Sequence, residues 1–196
     1  MQKISVNQEF DCSLSLLLRA REERYKHLDK FPELKNVKII SEETEGNVLK
    51  QVRHISIAGS LPPVISTLMP PGADSLHEKS EFNEENLTHT FQVSPGGHEN
   101  LFLLKGVSRY YELEGDRAGR NYELEITSKA FLVSMVVEST IAEIYRTNLA
   151  KDHKSILNFI KILGEEDDRA ADAPAANDAA ADTKQDADGT PSNGEQ

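Results

Sequence analysis

Over the first ten residues apolar and polar positions alternate. Ile4 and Val6 share parity with Gln8 against Ser5, Asn7 and Glu9, which predicts a half-buried strand. The period then lengthens. Leu14, Leu17, Leu18, Arg21, Tyr25 and Leu28 fall near helical spacing, predicting one bent helix or two short ones, capped by Asp11 or Ser13 and ended by Pro32. Alternation returns in "VKIISEETEGNVLKQVRHISIAG", a hairpin turning near Glu45–Asn47, and in "SLHEKSEFNEENLTHTFQV", a second turning near Asn83–Asn86. "LFLLKGVSRYYELEG" reads as a long strand with a bulge at Gly106, and "RNYELEITSKA" returns beside it after the turn "GDRAG". The last segment repeats at threes, fours and sevens: Val137, Ile141, Ile144, Tyr145, Leu149, Ile156, Phe159, Ile160 and Leu163. That is an amphipathic helix from about Val133 to Leu163, on the order of 45 Å long, with Gly164 where a C-terminal cap belongs.

One long helix must lay its apolar stripe on something, and a curved antiparallel sheet of about seven strands is the available surface. The order is strand, short helical pair, six-strand meander and long C-terminal helix, an α+β arrangement. Over residues 1–163 it resembles the START-like, or helix-grip, superfamily, which includes the birch-pollen-allergen family and the polyketide cyclases. The resemblance implies a sheet wrapped around the long helix with an apolar cavity between them. A narrower likeness, carried by "GSLPPVISTLMPPG" and "VVESTIAEIYRTNLAKDHKSILNFIKIL", is to the PRELI-like lipid-transfer proteins, although the chain has no Trp. That likeness implies phospholipid transfer beneath a mobile loop.

The segment "GSLPPVISTLMPPG" is itself unusual. Two stiff proline pairs frame Val64, Ile65, Leu68 and Met69, which helical spacing places on one face, and Pro63 suits the first turn of a helix. Two readings stand: a gate over the cavity that also touches a membrane or hydrophobic partner, with Leu61 at its start, or a connector helix sealing the core.

Charge changes the picture at one end. The chain of 196 residues carries a net charge of −11, yet residues 165–196 hold ten acidic and two basic residues, leaving only −3 for the body. The tail has no Leu, Ile, Val or aromatic residue, so a disordered acidic tail is expected from about Glu165, after a helix-grip domain over 1–164. The body has no basic surplus to invite nucleic acid. Cys12 is the only cysteine, and no apolar run approaches a membrane span, so a cytoplasmic protein is expected.

No catalytic constellation stands out. The six histidines show no ligand-like spacing, Cys12 has no partner for a metal site, and neither a phosphate loop nor a nucleophile elbow is present. No cofactor or metal is expected. Polar residues of inward parity are the better candidates. Arg53 shares parity with Ile55 and Ile57, and Arg109 with Tyr111. An arginine facing an apolar cavity is costly unless it is paired or used, and it suits carboxylate or phosphate recognition. Tyr111, Tyr122 and Asn148 are hydrogen-bonding candidates in the same space, and Ile141 lies on the stripe of the helix that would face it. The expected function is binding, and by extension transfer, of a hydrophobic or amphipathic lipid-like small molecule. A cyclase or dehydratase in the same cavity, or a protein-interaction module, remains open.

Overall fold

The computed structural model describes residues 1–57, 61–69 and 75–171. Seven strands form one antiparallel sheet in the order β1-β7-β6-β5-β4-β3-β2. They are β1 (Gln2–Phe10), β2 (Val37–Glu45), β3 (Val48–Ser56), β4 (Ser75–Asn83), β5 (Thr88–Pro95), β6 (Leu103–Leu113) and β7 (Arg117–Thr127). Among the described residues, three α-helices accompany them: α1 (Leu14–Glu23), α2 (Pro63–Ser66) and α3 (Ser134–Ala171). The expected α+β helix-grip architecture is present, with the long helix packed on β1 and β7 and against α1.

Ser13 starts α1, its Oγ accepting a hydrogen bond from Leu16 N at 3.3 Å and so satisfying one of the free amides of the first turn. The helical stretch is shorter than its apolar spacing predicts. Single 3-10 turns follow at Arg24–Lys26 and Pro32–Asn36. Pro32 opens the second of these rather than ending a helix, because its fixed φ suits a first turn that needs no amide.

The expected bulge at Gly106 is absent. The β6–β7 register runs unbroken from Leu103↔Thr127 to Leu113↔Arg117, and the irregularity falls instead in β2, between Ile39 and Ser41. Gly106 serves packing: a Cβ there would stand 2.2 Å from the Phe91 ring. The unbroken register sets the parity of β6. Leu104, Gly106, Ser108 and Tyr110 are buried on the inner face, whereas Lys105 and Arg109 are exposed. Arg109 and Tyr111 therefore point opposite to the expected direction. Arg109 Nη1 donates to Glu123 Oε2 at 3.0 Å in an exposed pair, and the Tyr111 ring lies over Gly119, where a Cβ would come within 2.3 Å of it.

The stripe of α3 buries two apolar clusters. One gathers Val137 and Ile141 with Ile4, Val93, Phe102, Leu104 and Ile126; the other gathers Ile156, Phe159 and Leu163 with Phe10, Leu17, Phe31 and Phe82. Gly164 does not cap α3. It stays helical, and the helix continues to Ala171, past the expected domain end at 164. One glycine costs a helix only about 1 kcal/mol, and the Glu and Ala residues that follow favour helix. The remainder of the acidic tail, 172–196, lies outside the described residues.

The face expected on α2 is also corrected. Ile65 is fully buried, with Leu61 and Met69 packed beside it on the first cluster, but Val64 and Leu68 are exposed. Steps of four put 61, 65 and 69 on one stripe and 64 and 68 on the next. The second proline pair, Pro70–Pro71, lies outside the described residues.

Candidate functional site

Between the two apolar clusters the interface of helix and sheet opens into a cavity of about 170 Å³. Its walls come from consecutive inward positions on neighbouring strands: Arg53 on β3, Glu78 on β4, His89 and Phe91 on β5, Tyr110 on β6, and Arg120 and Tyr122 on β7. The register places Arg53 directly opposite Glu78, and Tyr110 opposite Arg120. Arg21, Arg24 and Tyr25 close one side from α1 and the 3-10 turn after it. Tyr145, Asn148, Leu149 and Asp152 of α3 form the roof. Asn148 and Glu22 are the exposed members and mark the mouth.

Arg120 is 1% exposed and held on several sides. Its Nη2 reaches Asp152 Oδ2 at 2.7 Å, its Nε donates to Gln8 Oε1 at 3.0 Å, and its guanidinium lies 4.7 Å from the centre of the Tyr122 ring. Gln8 in turn donates to the Leu149 carbonyl at 3.0 Å, tying β1 to α3. Arg24 approaches the same carboxylate, Nη1 to Oδ1 at 2.6 Å. Burial alone would raise the Asp152 carboxyl, but Arg24 and Arg120 together outweigh it and hold it below the ordinary carboxylate range.

The other half of the cavity is less completely paired. Arg53 Nη1 stands 3.5 Å from Glu78 Oε1 and 3.4 Å from the Tyr25 hydroxyl, and Nη2 bonds to Gln51. Burial pushes the Glu78 carboxyl up, against the opposing pull of Arg53 and Arg21. Burial likewise raises the Tyr145 hydroxyl, with Glu78 adding to it. His89 is driven down to about 3, first by burial and then by Arg21, Arg53 and Arg120, so its ring is neutral near pH 7. Among the described residues, the buried polar atoms here with neither a hydrogen bond nor an ion pair are Arg24 Nε, Arg53 Nε, His89 Nε2 and, across the β5–β6 register from His89, Ser108 Oγ.

Of the residues singled out in the sequence, Arg53, Tyr122 and Asn148 line this cavity. Ile141 belongs to the first apolar cluster, as do Leu61, Ile65 and Met69; Val64 and Leu68 face outward, and Arg109 and Tyr111 occupy the outer sheet face. The segment α2 thus packs on the core without lining the cavity. The most exposed apolar side chains lie elsewhere, at Phe131, Leu132 and Met135 beside the start of α3. Sequence reasoning passed over Glu78, His89, Arg120 and Asp152. Their signal was parity: Glu78 with Leu76 and Phe82, His89 with Phe91 and Val93, Arg120 with Leu124 and Ile126, and Asp152 on the stripe between Leu149 and Ile156.

No protein-family model matches the sequence, and the search of curated proteins finds no significant match. Solved structures do match in fold. Norcoclaurine synthase from Thalictrum flavum, in complex with dopamine and hydroxybenzaldehyde, is 17% identical with a TM-score of 0.56, over 84% of this chain and 87% of that one. The Zhui aromatase/cyclase from Streptomyces sp. R1128 is 10% identical with a TM-score of 0.55, over 82% of this chain and 93% of that one. A START superfamily protein from Mycobacterium smegmatis is 13% identical with a TM-score of 0.51, over 82% and 98%. The fold is the START-like helix-grip fold. At these identities, 10–17%, the likeness extends to the fold alone. Among the described residues no helix is long and apolar enough to cross a membrane, and no group of three or more His, Cys, Asp or Glu is set to hold a metal ion.

Proposed function

We propose that the protein binds a small amphipathic molecule, of one or two rings, in the cavity between sheet and C-terminal helix. The observation that carries this reading is the lining itself, in which Tyr25, Phe91, Tyr110, Tyr122 and Tyr145 surround a space that ends in buried charge. Aromatic walls with a few placed polar groups are what small-molecule sites use for affinity and orientation. A cavity of about 150 Å³ suffices for benzene, so a volume near 170 Å³ matches one aromatic system better than a two-chain lipid. The dopamine and hydroxybenzaldehyde in complex with the synthase of the same fold support the same size class. Binding rather than transfer is the proposed activity, since the apolar segment α2 stands apart from this lining.

The test is calorimetric titration with 2-naphthol. The expected result is saturable one-to-one binding, weakened more than about tenfold by Asn148→Trp, which obstructs the exposed mouth while leaving the melting temperature in place. Equal binding by both proteins would place the ligand elsewhere and end this reading.

A second reading, an acid/base enzyme of the cyclase or dehydratase kind, draws on one specific arrangement. Glu78, raised by burial, and His89, kept neutral with a free Nε2, line one cavity, and environments that separate titratable groups are how such sites assign acid and base.

A further inference from the structure

We propose that the molecule held in this cavity carries an oxyanion, a carboxylate or a phosphate, whose oxygens accept from the Nε donors of Arg24 and Arg53. The inference rests on the cavity-binding reading and adds the chemistry of the bound group.

Two independent counts lead to it. The first is of donors. A guanidinium stays protonated and has five N–H donors. Arg24 and Arg53 are 5% and 9% exposed, so water does not freely serve those donors, and the Nε of each has no partner. Buried donors left this way are rare and call for an acceptor. The second count is of charge. Arg24 and Arg120 share the single carboxylate of Asp152. Arg21 pairs with Glu22, whose side chain is 47% exposed at the mouth. Arg53 has only Glu78, at 3.5 Å, and burial favours the neutral form of that acid. The interior therefore holds more positive charge than its own acids balance.

A neutral carbonyl would satisfy a donor and leave the excess charge in place. A carboxylate or phosphate answers both, and the planar guanidinium is shaped to receive it. His89 Nε2, unpartnered on a neutral ring, can accept from or donate to a hydroxyl on the same molecule, according to its tautomer. The tyrosine rings take its apolar body.

The experiment compares trans-cinnamate, phenyl phosphate and uncharged cinnamyl alcohol by calorimetric titration of the full chain at low salt and neutral pH. At least one anion is expected to bind about tenfold or more tightly than the alcohol, the scale of a charge-assisted contact, and whichever anion leads names the oxyanion. In Arg53→Gln that ratio is expected to collapse to within about threefold. If the alcohol binds as well as both anions, or the ratio survives in a folded Arg53→Gln protein, the oxyanion assignment falls while the cavity-binding reading stands. If none of the three binds, both fall. The wild-type ratio is decisive on its own should the variant not fold.

Discussion

Val137 and Ile141 near one end of α3, and Ile156, Phe159 and Leu163 near the other, are buried among apolar partners. The turns between them present Tyr145, Asn148 and Asp152 to a cavity walled by Arg24, Arg53 and Arg120. The helical period is the same throughout, so one stripe alternates between two tasks. Its ends contribute the burial that holds helix to sheet, at about 25 cal/mol for each Å² of apolar surface removed from water. Its middle gives up that gain to hold charge in place. A buried ion pair rarely improves on a packed apolar residue of the same volume, so the middle is better explained by a task than by stability.

The difference can be broken from the apolar side first. Ile141→Asp sets an unpaired charge in the first cluster and is expected to cost about 4 kcal/mol or more, unfolding the domain or lowering its melting temperature severely, whereas the exposed Glu143→Gln is expected to be nearly neutral. Comparable losses from the two would mean that the buried stripe is misassigned. Asp152→Ala tests the middle. It leaves Arg24 and Arg120 without their shared carboxylate, and chemical denaturation is expected to show a loss of about 3–5 kcal/mol. A loss under about 1 kcal/mol would mean that the pair is solvated rather than buried.

The smallest effect is read from pH. His89 has a folded value of about 3 against an ordinary 6.5, so the unfolded chain takes up the proton first as pH falls. Its contribution is therefore complete above about pH 6.5 and is lost as pH falls toward 3. Between pH 7.5 and 5 the loss is roughly 2 kcal/mol. His89→Phe is expected to flatten that part of the stability profile in urea titrations; an unchanged slope would show that His89 is open to solvent.

The hairpin order of β2 to β7, the turns at Gly46 and Asn83–Asn86 and the long helix were legible because each depends on local periodicity and turn chemistry, whereas the pairing of β1 with the distant β7 has no local signal. The cavity was harder to read because β6 is ambiguous by hydrophobicity. Its outward set includes Val107, Tyr111 and Leu113, while its inward set includes Gly106 and Ser108. Small inward residues make room for the Phe91 ring, and outward Tyr111 covers Gly119, so counting apolar residues selects the wrong face. Arg53 was placed by its neighbours Ile55 and Ile57. The same parity argument applied to β7 would have found Arg120. No periodicity reveals that Arg24 and Arg120 share Asp152, because that meeting depends on where α1 ends relative to α3.

The irregularity in β2 has a bearing on the protein at high concentration. Among the described residues this strand pairs with β3 on one side only and exposes Ile39 and Ile40, the kind of edge onto which another copy can add as an eighth strand. The interrupted ladder between Ile39 and Ser41 denies an incoming strand a continuous template. Glu42, Glu43 and Glu45 follow, so two such edges repel as they approach. Of these two safeguards, one is geometric and indifferent to solvent, and the other is coulombic and weakens once salt shortens its range below about 10 Å. Dilute buffer thus keeps both in force, and brine leaves only the first.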